Sequence, residues 1–103
     1  MEKNTPHYDL AVIKSEVRRL GQNAFTKTSV RSAEKLGFNV SEMQEIVFEL
    51  QTRMLYKSMT TYEDHRIWQD VYHINSRDQE IYIKVTYRPG GSPPVISFKE
   101  KKP

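Results

Sequence analysis

The chain has no cysteine among its 103 residues. That excludes a disulfide, a thiolate zinc site and a thiol nucleophile, and it suits a reducing cytoplasm. Long apolar runs are also missing. Glu2, Lys3, Asn4 and Thr5 precede only a short mixed segment, so neither a signal peptide nor a membrane span is expected, and the protein reads as soluble and cytoplasmic. The three histidines, His7, His65 and His73, stand at no recognised metal-ligand spacing, so neither a metal nor another cofactor is expected. There is no internal repeat, and the one biased run is a basic tail, Lys99 to Pro103. A chain of this length makes one domain, 1–103, with a modest core.

What is present is an uneven distribution of charge. The formal net charge of +3 is mild, but residues 1–52 carry seven basic and seven acidic groups while residues 53–103 carry nine and six. All the excess lies in the second half, which favours contact with a polyanion there.

The first half has helical periodicity. Thr5 and Pro6 form a plausible cap and first turn, after which Leu10, Ile13, Val17 and Leu20 recur at three- and four-residue steps until Gly21. A second, short helix is expected with Thr28 or Ser29 as cap, Val30, Ala33 and Leu36 buried, and Gly37 as its end. In the third, Ser41 and Gln44 resemble a capping box, and Met43, Ile46, Val47 and Leu50 form the apolar face.

The second half switches to a period of two. Four strands are expected, near Met54–Thr61, Arg66–His73, Glu80–Arg88 and Pro94–Lys99, separated by EDH, NSRDQ and PGGSP. Such short connections require antiparallel neighbours, giving an α+β domain with three N-terminal helices on one face of the sheet. Ile81, Ile83, Val85 and Tyr87 share one side of the third strand, and Tyr82, Lys84 and Thr86 the other. In the last strand Ile96 and Phe98 oppose Ser97 and Lys99. Tyr82, Lys84 and Lys99 are therefore expected to meet on the exposed face. For the first two strands, pattern alone leaves open whether Lys57 and Gln69, or Tyr56, Trp68 and Tyr72, face the core.

The segment from Tyr56 to Tyr72, YKSMTTYEDHRIWQDVY, is rich in planar rings and hydrogen-bonding groups, a composition that stacks bases and holds phosphates. Cutting RNA without a metal requires activation of a ribose 2'-hydroxyl, neutralisation of a phosphorane and protonation of the leaving 5'-oxygen. Lysine, tyrosine and glutamine have the chemistry for these roles, yet they are common on sheets and make a weak signal alone. A nonenzymatic nucleic-acid-binding module and a protein-interaction domain with an exposed sheet edge stay open beside the enzyme.

YKSMTTY, IWQDVY, IYIK and FKEK, together with MEKNTPH at the start, closely resemble the motility quorum-sensing regulator (MqsR) toxins over nearly the whole chain. The resemblance implies a RelE-like ribonuclease fold and a toxin that cleaves messenger RNA at short G-C-containing sites, without a metal or the ribosome. It implies an MqsA-like antitoxin with a zinc-binding half and a helix-turn-helix half. The lysine, glutamine and tyrosine on which such toxins depend match Lys57, Gln69 and Tyr82, with Lys99 as a further member. Lys57 and Gln69 then face the substrate, and Trp68 and Tyr72 pack inward. As a general base, Tyr82 needs its pKa depressed by lysines such as Lys84 and Lys99. Tyr56, Arg77 and Lys84 are candidate RNA contacts, while His65 beside Asp64 reads as a turn hydrogen bond. RPGGSPP after Tyr87 departs from the family pattern and puts that hairpin in doubt.

Overall fold

The computed structural model describes residues 1–102. Three α-helices, α1 (Leu10–Leu20), α2 (Lys27–Lys35) and α3 (Val40–Glu49), precede most of a five-stranded sheet. Its strands are β1 (Glu2–Lys3), β2 (Leu55–Thr60), β3 (Trp68–Ser76), β4 (Gln79–Val85) and β5 (Val95–Glu100). They lie in the order β1-β2-β3-β4-β5, every neighbour antiparallel. The α+β class is as expected. A two-residue polar strand leaves no periodic trace, so β1 was not legible in advance.

Each helix starts earlier or later than its residues suggest, because tertiary partners choose the cap. The first helix is capped by Asp9, whose carboxylate accepts from the Ala11 amide at 2.9 Å, not by Thr5. The amides of His7 and Tyr8 are already committed to Asp70 of β3, at 3.0 and 2.9 Å, so the chain cannot coil there. For α2 the cap is Thr26 rather than Thr28 or Ser29. Its amide donates to the Val95 carbonyl at 3.1 Å, and its hydroxyl accepts from the Ser29 amide at 3.1 Å. In α3 the capping box is Asn39 with Glu42, both bonds at 2.9 Å. Gln44 instead donates to the Val17 carbonyl at 3.2 Å, tying α3 to α1.

The β3–β4 hairpin turns on Arg77 and Asp78, both in the left-handed region at φ 53° and 62°, the geometry that matches a two-residue turn to the strand twist. The longer β4–β5 connection contains a turn in which the Gly91 amide donates to the Arg88 carbonyl at 2.9 Å. Pro89 and Gly90, the latter at φ 70°, occupy the two central positions that a type II turn assigns to them. RPGGSPP therefore still delivers β5 alongside β4.

Buried side chains from α1, α2 and α3, among them Ile13, Val17, Ala33, Met43 and Val47, form one cluster with Tyr72, Ile74, Ile81, Ile83, Val85, Val95 and Phe98. A bulge at Lys84/Val85 alters the expected alternation in β5. Ile83 pairs with Phe98 but Val85 with Val95, so Val95 is buried where Ile96 was expected. Among the described residues the buried Tyr72 hydroxyl has no hydrogen-bond partner, and burial, helped by Asp70 and Asp9, pushes its pKa up to about 12. Removing that unsatisfied group should be neutral or favourable. Tyr72→Phe is expected to stabilise by up to ~1 kcal/mol, read from the midpoint of a urea transition, and a loss above that size refutes it.

Candidate active site

Strand register alone assembles most of the site. Lys57 of β2 lies opposite Val71 of β3, which lies opposite Lys84 of β4, which lies opposite Ser97 of β5. One step along the strands, His73, Tyr82 and Lys99 form the adjacent row. Directly paired residues share a face, so Lys57, Tyr82, Lys84 and Lys99 stand together on the side opposite Tyr72, Ile81 and Ile83. Val71 is fully buried yet lies outside the core cluster. It is flanked by Lys57 and Lys84, whose aliphatic stems are suited to covering it.

Strict alternation would turn Tyr56 away from Lys57. A bulge between Leu55 and Lys57, where Leu55 pairs with Tyr72 but Lys57 with Val71, cancels that alternation. Tyr56 consequently stacks on His73 with centroids 4.6 Å apart and planes inclined 19°, and it is 55% exposed. His73 in turn contacts Tyr82 at 5.7 Å between centroids. These three rings, with Lys99, Glu100, Lys101 and Lys102, line a pocket of about 410 Å³. A larger cleft of about 480 Å³ beside α2 has neither a tyrosine nor a histidine in its lining and offers less for chemistry.

The electrostatics differ from residue to residue. Lys57 donates to the Glu2 carboxylate at 2.7 Å, a bond that holds the ammonium above its ordinary pKa and the carboxyl below its own. The amine of Lys84 lies 5.9 Å from the Tyr82 ring centre and that of Lys99 lies 5.1 Å away. Burial, then Lys99 and Lys57, draw Lys84 below the usual lysine range. The depression that a base role for Tyr82 requires is absent: burial outweighs the opposing charge of Lys57, and its pKa rises. Tyr82 is therefore a neutral phenol near pH 7, fit to donate a proton or hydrogen bond rather than to take one.

The family described as "Motility quorum-sensing regulator, toxin of MqsA" matches residues 5–100. The chain is also 40% identical over 101 residues, 98% of its length, to the whole of a relative named mRNA interferase toxin MqsR from Escherichia coli (strain K12). The chain belongs to the motility quorum-sensing regulator toxin family.

In this family member the residues anticipated from sequence are only partly gathered. Lys57, Tyr82, Lys84, Lys99 and Tyr56 are neighbours. Gln69 shares their face, opposite Met59, but lies four residues from His73, roughly 13 Å along the strand at about 3.3 Å per residue. Trp68 is not in the core. It is partly exposed and covered by His7, stacked at 4.9 Å, and by the Lys3 ammonium at 4.2 Å. Arg77 stands apart from the pocket, donating to the Gly37 carbonyl at 3.2 Å, pairing with Glu42 and covering Phe38. His73 and Glu2 were missed. No motif marks a lone histidine, and only the unforeseen pairing of β1 brings Glu2 to Lys57. Among the described residues no group of three or more His, Cys, Asp or Glu is arranged to hold a metal, and no helix is long and apolar enough to cross a membrane.

Proposed function

We propose that this chain is the toxin of a toxin–antitoxin pair and a metal- and ribosome-independent endoribonuclease acting on messenger RNA in the cytoplasm. The observation that carries the reading is the convergence of Lys57, Tyr82, Lys84 and Lys99 on one sheet face, beside an exposed stacked ring at Tyr56. Kinship to the relative named mRNA interferase toxin supports it. In this proposal the chain is a single RelE-like domain, with the helices covering the opposite face of the sheet. An MqsA-like antitoxin, zinc-binding and helix-turn-helix, restrains it, and the substrate is single-stranded RNA with short G-C-containing sites.

The chemistry follows from charge. Lys57 and Lys99 neutralise the pentacoordinate phosphorane, Lys84 contributes to the phosphate contact, and Tyr82 protonates the departing 5'-oxygen. Gln69, remote from Tyr82, orients a neighbouring nucleotide rather than the reacting atoms. Tyr56 supplies a face on which a base stacks. Arg77, committed to Glu42 and Gly37, is left out of this assignment.

The test is incubation of the protein with a defined RNA in excess chelator. Fragments ending in cyclic phosphate are expected; intact RNA with demonstrable binding would establish the nonenzymatic nucleic-acid module instead. The Glu2–Lys57 pair gives a second expectation, because an RNA phosphate must compete with Glu2 for the ammonium. Glu2→Gln should tighten RNA binding several-fold at low salt, the advantage shrinking as salt screens the phosphates. Fluorescence anisotropy against salt measures it, and equal or weaker binding contradicts it.

A further inference from the structure

Cleavage by the 2'-hydroxyl needs a group to take that proton, and the residues assigned above do not provide one at the pocket. Lys57 is a cation held by Glu2, Tyr82 is a neutral phenol, Gln69 has no basic atom, Lys99 is turned to the Tyr82 ring at 5.1 Å, and Lys84 is not among the pocket-lining residues. His73 is. Its ring is held by contact alone, stacked on Tyr56 at 4.6 Å and touching Tyr82 at 5.7 Å. Among the described residues no protein group hydrogen-bonds either ring nitrogen, although another imidazole of this chain, that of the exposed His7, has its Lys3 partner at 3.0 Å. The register sets His73 directly across from Tyr82, and Tyr82 directly across from Lys99. An acceptor, a donor and a cation thus occupy successive strands.

We propose that His73 is the general base of the cleavage, an assignment that rests on the endoribonuclease reading and completes it. The imidazole takes the 2'-hydroxyl proton as the 2'-oxygen bonds to phosphorus. The bond from phosphorus to the 5'-oxygen breaks, and that oxygen takes the Tyr82 phenol proton. The products are a cyclic phosphate, a free 5'-hydroxyl, an imidazolium and a phenolate; transfer of one proton from imidazolium to phenolate restores both residues.

The surroundings keep the ring available as a base. The charged and titratable groups around it are Tyr56 from β2, Glu80 and Tyr82 from β4, Lys99 and Glu100 from β5, and Lys101 and Lys102 after it. Burial lowers its pKa below the ordinary histidine value, Lys101 adds to that, and Glu80 opposes it. Glu80 and Lys101 pair with each other at 3.2 Å, which limits what either imposes on the ring.

The experiment is single-turnover cleavage of a defined RNA at saturating protein across pH 4.5 to 8. Wild type is expected to lose rate about tenfold per pH unit below an inflection that lies under about 6.5. His73→Phe keeps an aromatic ring on Tyr56 and should cut about 10²- to 10³-fold more slowly, without that acid limb. Free imidazole should restore part of the rate to His73→Ala. A His73→Phe variant that cuts at the wild-type rate, or retains the limb, overturns the proposal. So does a limb that persists in His73→Phe but disappears in Glu2→Gln, because the base is then Glu2. Imidazole rescue reads the base role even if a variant is less stable. Wild-type protein that leaves the RNA intact defeats the enzyme reading itself, a result distinct from cleavage that ignores His73.

Discussion

Replacing Asp70 with alanine is expected to destabilise the protein by about 3–5 kcal/mol, the range for removing a buried charged acceptor and orphaning its donors. Asp70 is fully buried, and its carboxylate accepts from the amides of His7 and Tyr8 and from the Ser58 hydroxyl, the last at 2.6 Å. Among the described residues no cation pairs with it, so these donors are what satisfy its oxygens. Its loss strands three donors and frees the segment that leads from β1 into α1. The effect should therefore appear twice: as a fall in the midpoint of urea unfolding, and as increased proteolysis near residues 4–8 under native conditions. Asp70→Asn, which keeps the shape but offers one acceptor oxygen, should lose less. A midpoint unchanged in Asp70→Ala would show that the N-terminal segment is held by something else.

The second large effect is catalytic. Lys57→Ala is expected to lower the rate of RNA cleavage about 10²- to 10³-fold, as removal of one charge-stabilising group from a transition state does, and Tyr82→Phe about 10²-fold through loss of the proton donor. Both side chains lie on the sheet face away from the core cluster, so thermal unfolding should move little. The loss should sit mainly in the rate at saturation, while RNA affinity changes less, because Lys84, Lys99 and Tyr56 remain. Lys57→Ala also leaves Glu2 unpaired at the site, so Lys57→Ala combined with Glu2→Gln should recover some binding without recovering rate. Near-wild-type cleavage by Lys57→Ala would remove this lysine from the mechanism.

Where local chemistry decided the structure, the sequence was informative. The apolar spacing of Ile13 and Val17, of Met43, Ile46 and Val47, and of Ile81, Ile83 and Val85 placed helices, strands and the buried side of β4. The helix starts were not legible, because Asp9, Thr26 and Asn39 became caps through what their neighbours bind across the fold. Alternation failed at the two bulges, which brought Val95 rather than Ile96 into the core and Tyr56 onto the same face as Lys57. A bulge is a property of two strands together, and neither strand announces it. The same holds for the pocket: Tyr82, Lys84 and Lys99 could be set on one face from parity, but His73 came into view only when the register put it beside Tyr82. Likewise the direction of the Tyr82 pKa turned on burial, which a count of nearby lysines does not report.

The pairing of β1 with β2 rests on two residue pairs, Glu2 with Met59 and Lys3 with Ser58, and joins parts of the chain more than fifty residues apart. Few hydrogen bonds closing a long loop mark the segment that opens first in native-state fluctuations, well below the free energy of global unfolding. Each such opening separates Glu2 from Lys57 while β2 to β5 stay paired. The protein is thus a mixture of closed molecules, with the lysine occupied, and open ones, with it bare. An RNA that binds only the open form sees an affinity scaled by that fraction. Amide exchange at Thr60, whose N–H reaches the Met1 carbonyl at 3.0 Å, reports the same equilibrium.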